Sequence, residues 1–166
     1  MIKEELTRSA IEDRLFGIGT NSYNRFKKLL EMRGELDGEN VFYALMNAYI
    51  SSDNLYDYRD EIKESFRTLE PKQPRFLEVE DEEYFNALPD QITIYRGMTV
   101  EEFDGGEYGV SWSLKKEVAE FFANQYGRNH STNEQATVVM SLTISKDEII
   151  SLTNDRKEFE VIYINN

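Results

Sequence analysis

The sequence predicts an α+β protein with its helices first and its strands last, and three observations lead there. Apolar residues recur at spacings of three and four as far as Leu69, Pro71 and Pro74 then break that pattern, and after Pro89 the apolar period switches to two. We expect one domain over residues 1–166, with a helical lobe over 1–70 and a strand-rich core over 90–166.

In the first half, Tyr23, Phe26 and Leu30 fall on one helical face that Gly34 brings to an end. Val41, Phe42, Leu45, Ala48 and Tyr49 form a second face. Leu55, Tyr58, Ile62, Phe66 and Leu69 form a third, with Asp53 expected as its N-cap. Aromatic stripes at helical spacing read as core. Glu78 to Glu83 reads as a solvated acidic segment. There is no internal repeat and no low-complexity tract.

The second half starts with a strand over 91–97, ending at Gly97 and carrying Ile92, Ile94 and Arg96 on one face. Asp104 to Gly109 is expected as a turn-rich loop leading into a short strand around Ser111, Trp112 and Ser113. Lys115 to Tyr126 reads as a helix with Val118, Ala119, Phe122 and Tyr126 along one side. Thr137 to Ile144 alternates, putting Val138, Met140, Leu142 and Ile144 together. The last strand sets Phe159, Val161 and Tyr163 on one face and Glu158 and Glu160 on the other, with Ile162 and Ile164.

Composition removes several function classes. The 166 residues carry 19 Lys+Arg against 32 Asp+Glu, a formal charge of −13, which opposes contact with nucleic-acid phosphates and favours a basic partner. With 40% hydrophobic and 13% aromatic residues the chain can build a core. No apolar run approaches the roughly 18 residues of a membrane span, and the first residues hold no signal-peptide core, so we expect a soluble cytoplasmic protein with no membrane contact. Without Cys there is no disulfide, thiolate nucleophile or zinc-thiolate site, and with His130 as the one histidine no histidine-based metal cluster, so no metal is expected. A Ser/His/Asp hydrolase would have to use His130, which lies in the polar stretch 128–134 and reads as an exposed loop residue.

Three features carry chemistry. Glu158 and Glu160 project side by side, as close carboxylates with a task do, although a half-exposed strand in an acidic chain carries two acids easily. Arg96 continues an apolar strand face and precedes Gly97, whose missing side chain lets a ligand approach the backbone. Its fork suits a phosphate or carboxylate, or a structural salt bridge with one of those glutamates. Ser111 and Ser113 flank Trp112 at a strand-to-helix junction, where Ser113 also suits a helix cap.

In combination, Tyr95-Arg96-Gly97, Ser111-Trp112-Ser113 before a helix holding Phe121-Phe122, and Glu158-Phe159-Glu160 on a late strand resemble the mono-ADP-ribosyltransferases of the Arg-Ser-Glu class, in their small phage or bacterial effector form. The resemblance covers residues 90–166 and departs from the usual Ser-Thr-Ser at Trp112, which alternation turns away from the cleft. It implies a helical lobe packed on a mixed or antiparallel two-sheet β core that binds NAD. It also implies that Glu160 binds the ribose 2′-hydroxyl and stabilises positive charge as the nicotinamide bond breaks. Glu158 would orient or deprotonate an acceptor arginine. Arg96 would hold an NAD phosphate, and Ser111 would fix the Glu160 rotamer; apart from the resemblance, a chain of charge −13 needs local cations such as Arg96 and Arg128 to offset its repulsion of the two phosphates. Gly97 would meet the nicotinamide amide, Phe122 would stack on its ring, and Ser113 would line the same cofactor site. Residues 151–157 would form the acceptor-recognition loop.

The function this implies is NAD-dependent transfer of ADP-ribose to an arginine of a protein target, a basic or arginine-presenting host protein, by a small effector acting in the cytoplasm. Two other readings stand beside it: an acidic non-enzymatic inhibitor that mimics nucleic acid towards a basic partner, and an NAD glycohydrolase with no protein target.

Overall fold

A stretch of 66 residues, 6–71, holds four helices in the computed structural model, which describes residues 6–129, 136–155 and 157–165, without the side chains of 126–129. They belong to the first of two compact units, Met1–Pro71 and Lys72–Asn166. Helix α1 (Arg8–Phe16) is absent from the sequence reading because only Ile11 and Leu15 of it are buried. Thr7 caps it, its hydroxyl accepting from the Ala10 N–H. In α2 (Arg25–Met32) the buried stripe is Phe26, Leu29 and Met32. Tyr23, expected on that face, is 67% exposed. The Asn21 side chain accepts from the N–H groups of Tyr23 and Asn24 and holds them in a turn, so the helix starts after Tyr23.

Helix α3 (Gly38–Ser51) buries Phe42, Leu45, Ala48 and Tyr49 as expected, and Ala44 and Met46 as well. Leu55–Tyr58 is a 3₁₀ turn ahead of α4 (Arg59–Arg67), which buries Ile62 and Phe66. Asp53 does not cap α4: its N–H donates to the Ser22 carbonyl, and the 3₁₀ turn separates it from the helix. The Tyr49 and Phe66 rings meet edge-on with centroids 5.6 Å apart. Arg25 ties the unit together, donating to the Leu15 carbonyl at 2.7 Å and the Ser51 carbonyl at 2.5 Å. Both acceptors lie at helix C-terminal ends, where a cation is favoured.

The second unit opens on a helix where the sequence suggests a solvated acidic stretch. In α5 (Val79–Asn86) Asp81 and Phe85, four residues apart and so on one face, are buried, while Glu80, Glu82 and Glu83 point outward. Five strands follow: β1 (Gln91–Thr99), β2 (Ser111–Ser113), β3 (Thr137–Ser145), β4 (Ser151–Thr153) and β5 (Glu160–Ile162). They make one sheet in the order β3-β1-β2-β5-β4, antiparallel throughout. One sheet among the described residues corrects the two-sheet core expected, because β2 pairs with both β1 and β5 and joins the two halves edge to edge. β1 also runs past Gly97 to Thr99, since Met98 and Thr99 still pair with β3. The first two residues of the expected loop, Asp104 and Gly105, belong to a helix: α6 (Val100–Gly105) ends at Gly106 with φ 73°, a left-handed cap that glycine adopts without strain.

One face of the sheet is the core of the unit. Ile92, Ile94, Trp112, Leu152 and Val161 pack there with Phe85 of α5. Trp112 is 2% exposed, its ring edge-on to Tyr108 and Tyr163, and thus on the side that alternation assigns to it. The other face carries Tyr95, Gly97, Ser111, Ser113 and Glu160 and lies under α7 (Lys116–Asn129). Gly97 is needed for that packing: a Cβ would run into the Ala119 carbonyl and lie 2.7 Å from the Ala123 N. No helix among the described residues is long and apolar enough to cross a membrane.

Candidate functional site

Three side chains reach one point because of strand register. Ser113 of β2 lies opposite Glu160 of β5, and Ser111 opposite Ile162, so Ser111, Ser113 and Glu160 share the face beneath α7. The Ser111 hydroxyl donates to Glu160 Oε2 at 2.5 Å. A hydroxyl bonded to a carboxylate is a short charge-assisted contact that removes rotamer freedom from the acid. Ser113 has two tasks: its Oγ accepts from the Lys115 N–H at 3.0 Å, the capping role, and donates to the Glu158 carbonyl at 2.6 Å.

Glu158 reaches the site by a route different from the one the sequence suggests. It precedes β5 rather than lying in it, because Phe159 has φ 47°, which breaks the strand alternation. Lys157, at φ 57°, is left-handed too. Two such non-glycine residues, one on each side of Glu158, are held only where the surroundings fix them. Here Leu114 N–H donates to the Phe159 carbonyl at 3.1 Å and the Phe159 N–H to Asn154 Oδ1 at 3.4 Å. The Phe159 ring lies 5.0 Å from that of Tyr84 and under the Lys115 ammonium. With Phe159 anchored in this way, Glu158 and Glu160 line the same cleft.

Asp81 supports that turn from below. It is 7% exposed, and one of its oxygens accepts from the Asn154 N–H at 3.2 Å. Burial pushes its carboxyl above the usual aspartate range; the Asn154 N–H opposes this, while Glu78, Glu80 and Asp155 add to it. Sequence inspection misses Asp81, whose one signal is its position four residues before the apolar Phe85 in an otherwise acidic run.

Arg96 is 12% exposed at its side chain and already engaged. Its Nε and Nη2 donate to the two oxygens of Glu102 at 2.7 and 2.8 Å, and its Nη1 to the Ser111 carbonyl at 2.9 Å. Gly109 leaves room for the guanidinium, since a Cβ there would sit 2.5 Å from Nη2. A salt bridge exists with Glu102 of α6, because α6 folds back beside β1 and the Thr99 hydroxyl accepts from the Glu102 N–H. Arg96 lines the cleft and holds the Ser111 backbone there, and an anion that took the Nε/Nη2 side of its fork would have to replace Glu102.

Two further expectations change. The space that the missing Gly97 side chain leaves is filled by α7, while the residue itself still lines the cleft. Residues 151–157 are no single loop: Ser151–Thr153 are strand β4, buried and paired with β5. Phe122 lines the cleft, half-buried, whereas the adjacent Phe121 is 55% exposed. His130 and the side chains of Arg128 and Tyr126 lie outside the described residues, as does Arg156.

The cleft encloses about 60 Å³. Sites for whole organic ligands run from about 300 Å³ upward. Val118 and Phe122, both half-buried, form the α7 wall of the cleft. Among the described residues no three acidic or histidine side chains converge as metal ligands would. No family model, curated protein or solved structure matches the chain.

Proposed function

We propose that the chain is an NAD-dependent mono-ADP-ribosyltransferase that modifies an arginine of a protein target, acting in the cytoplasm. The observation that carries this reading is the Ser111–Glu160 hydrogen bond at 2.5 Å in a cleft that Glu158 also lines. A carboxylate fixed by a serine, with a second carboxylate beside it, suits a reaction in which positive charge develops on a sugar and a basic nucleophile must be delivered to it.

In this reading NAD is a substrate. The bond between nicotinamide nitrogen and ribose C1′ breaks, its electron pair leaving with nicotinamide. Glu160 accepts a hydrogen bond from the 2′-hydroxyl and stabilises the cationic sugar. The acceptor guanidinium is too basic to attack unaided. Glu158 takes its proton as the new nitrogen–C1′ bond forms. Phe122 stacks on the nicotinamide ring, with the Gly97 backbone facing its amide and Ser113 keeping the Glu158 backbone in place. Arg96 meets a phosphate with the Nε/Nη2 side of its fork by exchanging Glu102 for it, and otherwise serves the site by holding the Ser111 carbonyl. The target presents its arginine on a basic surface, complementary to a chain of charge −13.

The test is incubation of the pure protein with labelled NAD and a bacterial lysate, comparing wild type with Glu160→Gln and Glu158→Gln. Label on discrete protein bands is expected with wild type alone. Glu158→Gln is expected to keep releasing nicotinamide while losing transfer. If wild type releases nicotinamide without labelling protein, the glycohydrolase reading replaces this one. If it does neither, the acidic inhibitor does.

A further inference from the structure

The two carboxylates of the cleft are held by different parts of the second unit. Glu160 lies in β5, where pairing with β2 and β4 fixes its backbone and the Ser111 hydroxyl engages its side chain. Glu158 lies before β5, between left-handed Lys157 and left-handed Phe159. Ser113 holds its carbonyl from the β2 side. On the β4 side stands Asn154, three of whose groups are engaged. The Asn154 carbonyl accepts from the Lys157 N–H at 3.1 Å, its side-chain oxygen accepts from the Phe159 N–H at 3.4 Å, and its own N–H donates to an Asp81 oxygen at 3.2 Å. The residues before and after Glu158 thus both bond to Asn154, and Asn154 bonds to α5.

Helix α5 meets this segment twice. Asp81, Tyr84 and Phe85 share one helical face by their spacing of three and four, and Phe85 seats that face in the core of the sheet. Asp81 takes the Asn154 N–H on the approach to Glu158, and the Tyr84 ring lies 5.0 Å from that of Phe159 just after it. The Phe159 ring also lies under the Lys115 ammonium. Burying a carboxylate is costly, and Asp81 is 7% exposed. What its contact fixes is the segment that carries Glu158; Glu160 is set without it.

We propose that Asp81 and Asn154 are positioning residues for the acceptor step alone: they place Glu158, leave Glu160 unaffected, and so decide whether the cationic sugar passes to an arginine or to water. This rests on the transferase reading. A general base works only within hydrogen-bond reach of the proton it removes, and a displacement of about 1 Å costs on the order of a hundredfold. With Glu158 in place, it takes the guanidinium proton as the nitrogen–C1′ bond forms. With Glu158 displaced, nicotinamide still leaves with the electron pair of its bond, because Glu160 keeps its partner Ser111. A water oxygen then bonds to C1′, its proton passes to solvent, and free ADP-ribose is the product. Loosening α5 from Asn154 therefore turns the transferase into a glycohydrolase.

The experiment incubates wild type, Asp81→Ala, Asn154→Ala and Asp81→Asn with labelled NAD and a bacterial lysate, and reads nicotinamide released and label on protein for each. In both alanine variants the ratio of transfer to release is expected to fall at least about tenfold, with release within about twofold of wild type. Asp81→Asn keeps an oxygen for the Asn154 N–H and is expected to keep the wild-type ratio. Partial unfolding lowers transfer and release together and leaves the ratio unmoved. Asn154→Ala, at a half-buried position, serves if Asp81→Ala does not fold. Amide exchange read by NMR gives a signal independent of activity. The N–H groups of Asn154, Lys157 and Phe159 are expected to exchange faster in Asp81→Ala, or in Asp81→Leu if the alanine variant does not fold, while those of Trp112 and Val161, opposite each other in β2 and β5, do not. A wild-type ratio in either folded alanine variant overturns the proposal, as does an Asp81→Asn ratio as low as that of Asp81→Ala, or unchanged exchange at the three amides. Each of those results leaves the transferase reading standing. Wild type that labels no protein overturns that reading, and the proposal with it.

Discussion

Ser111 and Asp81 show how single polar groups control the cleft. The Ser111 hydroxyl orients Glu160, and hydrogen bonds to charged groups are worth about 1.5–3 kcal/mol. Ser111→Ala is therefore expected to lower kcat for nicotinamide release about tenfold to a hundredfold, with a smaller change in KM for NAD, while Ser111→Thr retains activity by keeping the hydroxyl. An unchanged kcat in Ser111→Ala, with Glu160→Gln inactive, would show that Glu160 needs no orienting partner. Asp81 makes a prediction of the opposite kind. Its pKa is raised by burial, so between the usual aspartate value and the raised one the folded chain holds more protons than the unfolded, and stability falls as pH rises through that window. Asp81→Asn keeps an oxygen for the Asn154 N–H and abolishes the buried charge. Its melting temperature is expected to exceed that of wild type near neutral pH, and the advantage to vanish as the pH falls below the usual aspartate range. A constant difference across the series would mean that the charge of Asp81 is not what the fold resists.

At the scale of elements, the contact between α7 and β1 depends on one missing side chain. Gly97→Ala would drive a methyl group into the α7 backbone at Ala119 and Ala123, and overpacking of this kind costs about 1–3 kcal/mol. Denaturation followed by the emission of Trp112, the one tryptophan, should show the midpoint lowered without loss of cooperativity; an unmoved midpoint would mean α7 does not lie against Gly97. Legibility also varied element by element. α3 and β3 were readable because each has one buried face, so apolar residues recur with the period of the element. α5 was not, because its acids outnumber the two residues it buries, and the phase that mattered was set by Asp81 and Phe85. α1 hides for a related reason, with Ile11 and Leu15 alone buried. The end of the chain looked like one long alternating strand, yet left-handed Phe159 shortens it to Glu160–Ile162 and turns Glu158 from strand residue to loop residue.

For the whole molecule the deciding quantity is the charge of −13. In the proposed transferase reading it repels the phosphates of NAD and attracts a basic target, and both effects are screened over about 10 Å at 0.1 M salt. Raising ionic strength is thus expected to increase kcat/KM for NAD hydrolysis and to decrease kcat/KM for the protein acceptor. Salt dependences of the same sign in both assays would show that local groups, not net charge, govern the encounters. The sequence alone determined the α+β order, the change of character at Pro71, the strand faces of Ile92, Ile94 and Trp112, and the candidates Arg96, Ser111, Ser113, Glu158 and Glu160, since periodicity and residue chemistry are properties of local sequence. Only the tertiary structure decided that the strands form a single sheet, that Arg96 spends its fork on Glu102, that α7 fills the space at Gly97, and that Asp81 supports the turn bearing Glu158. Each of these joins residues whose meeting depends on register and chain reversal, and a sequence pattern specifies which face a residue takes but not which partner it meets there.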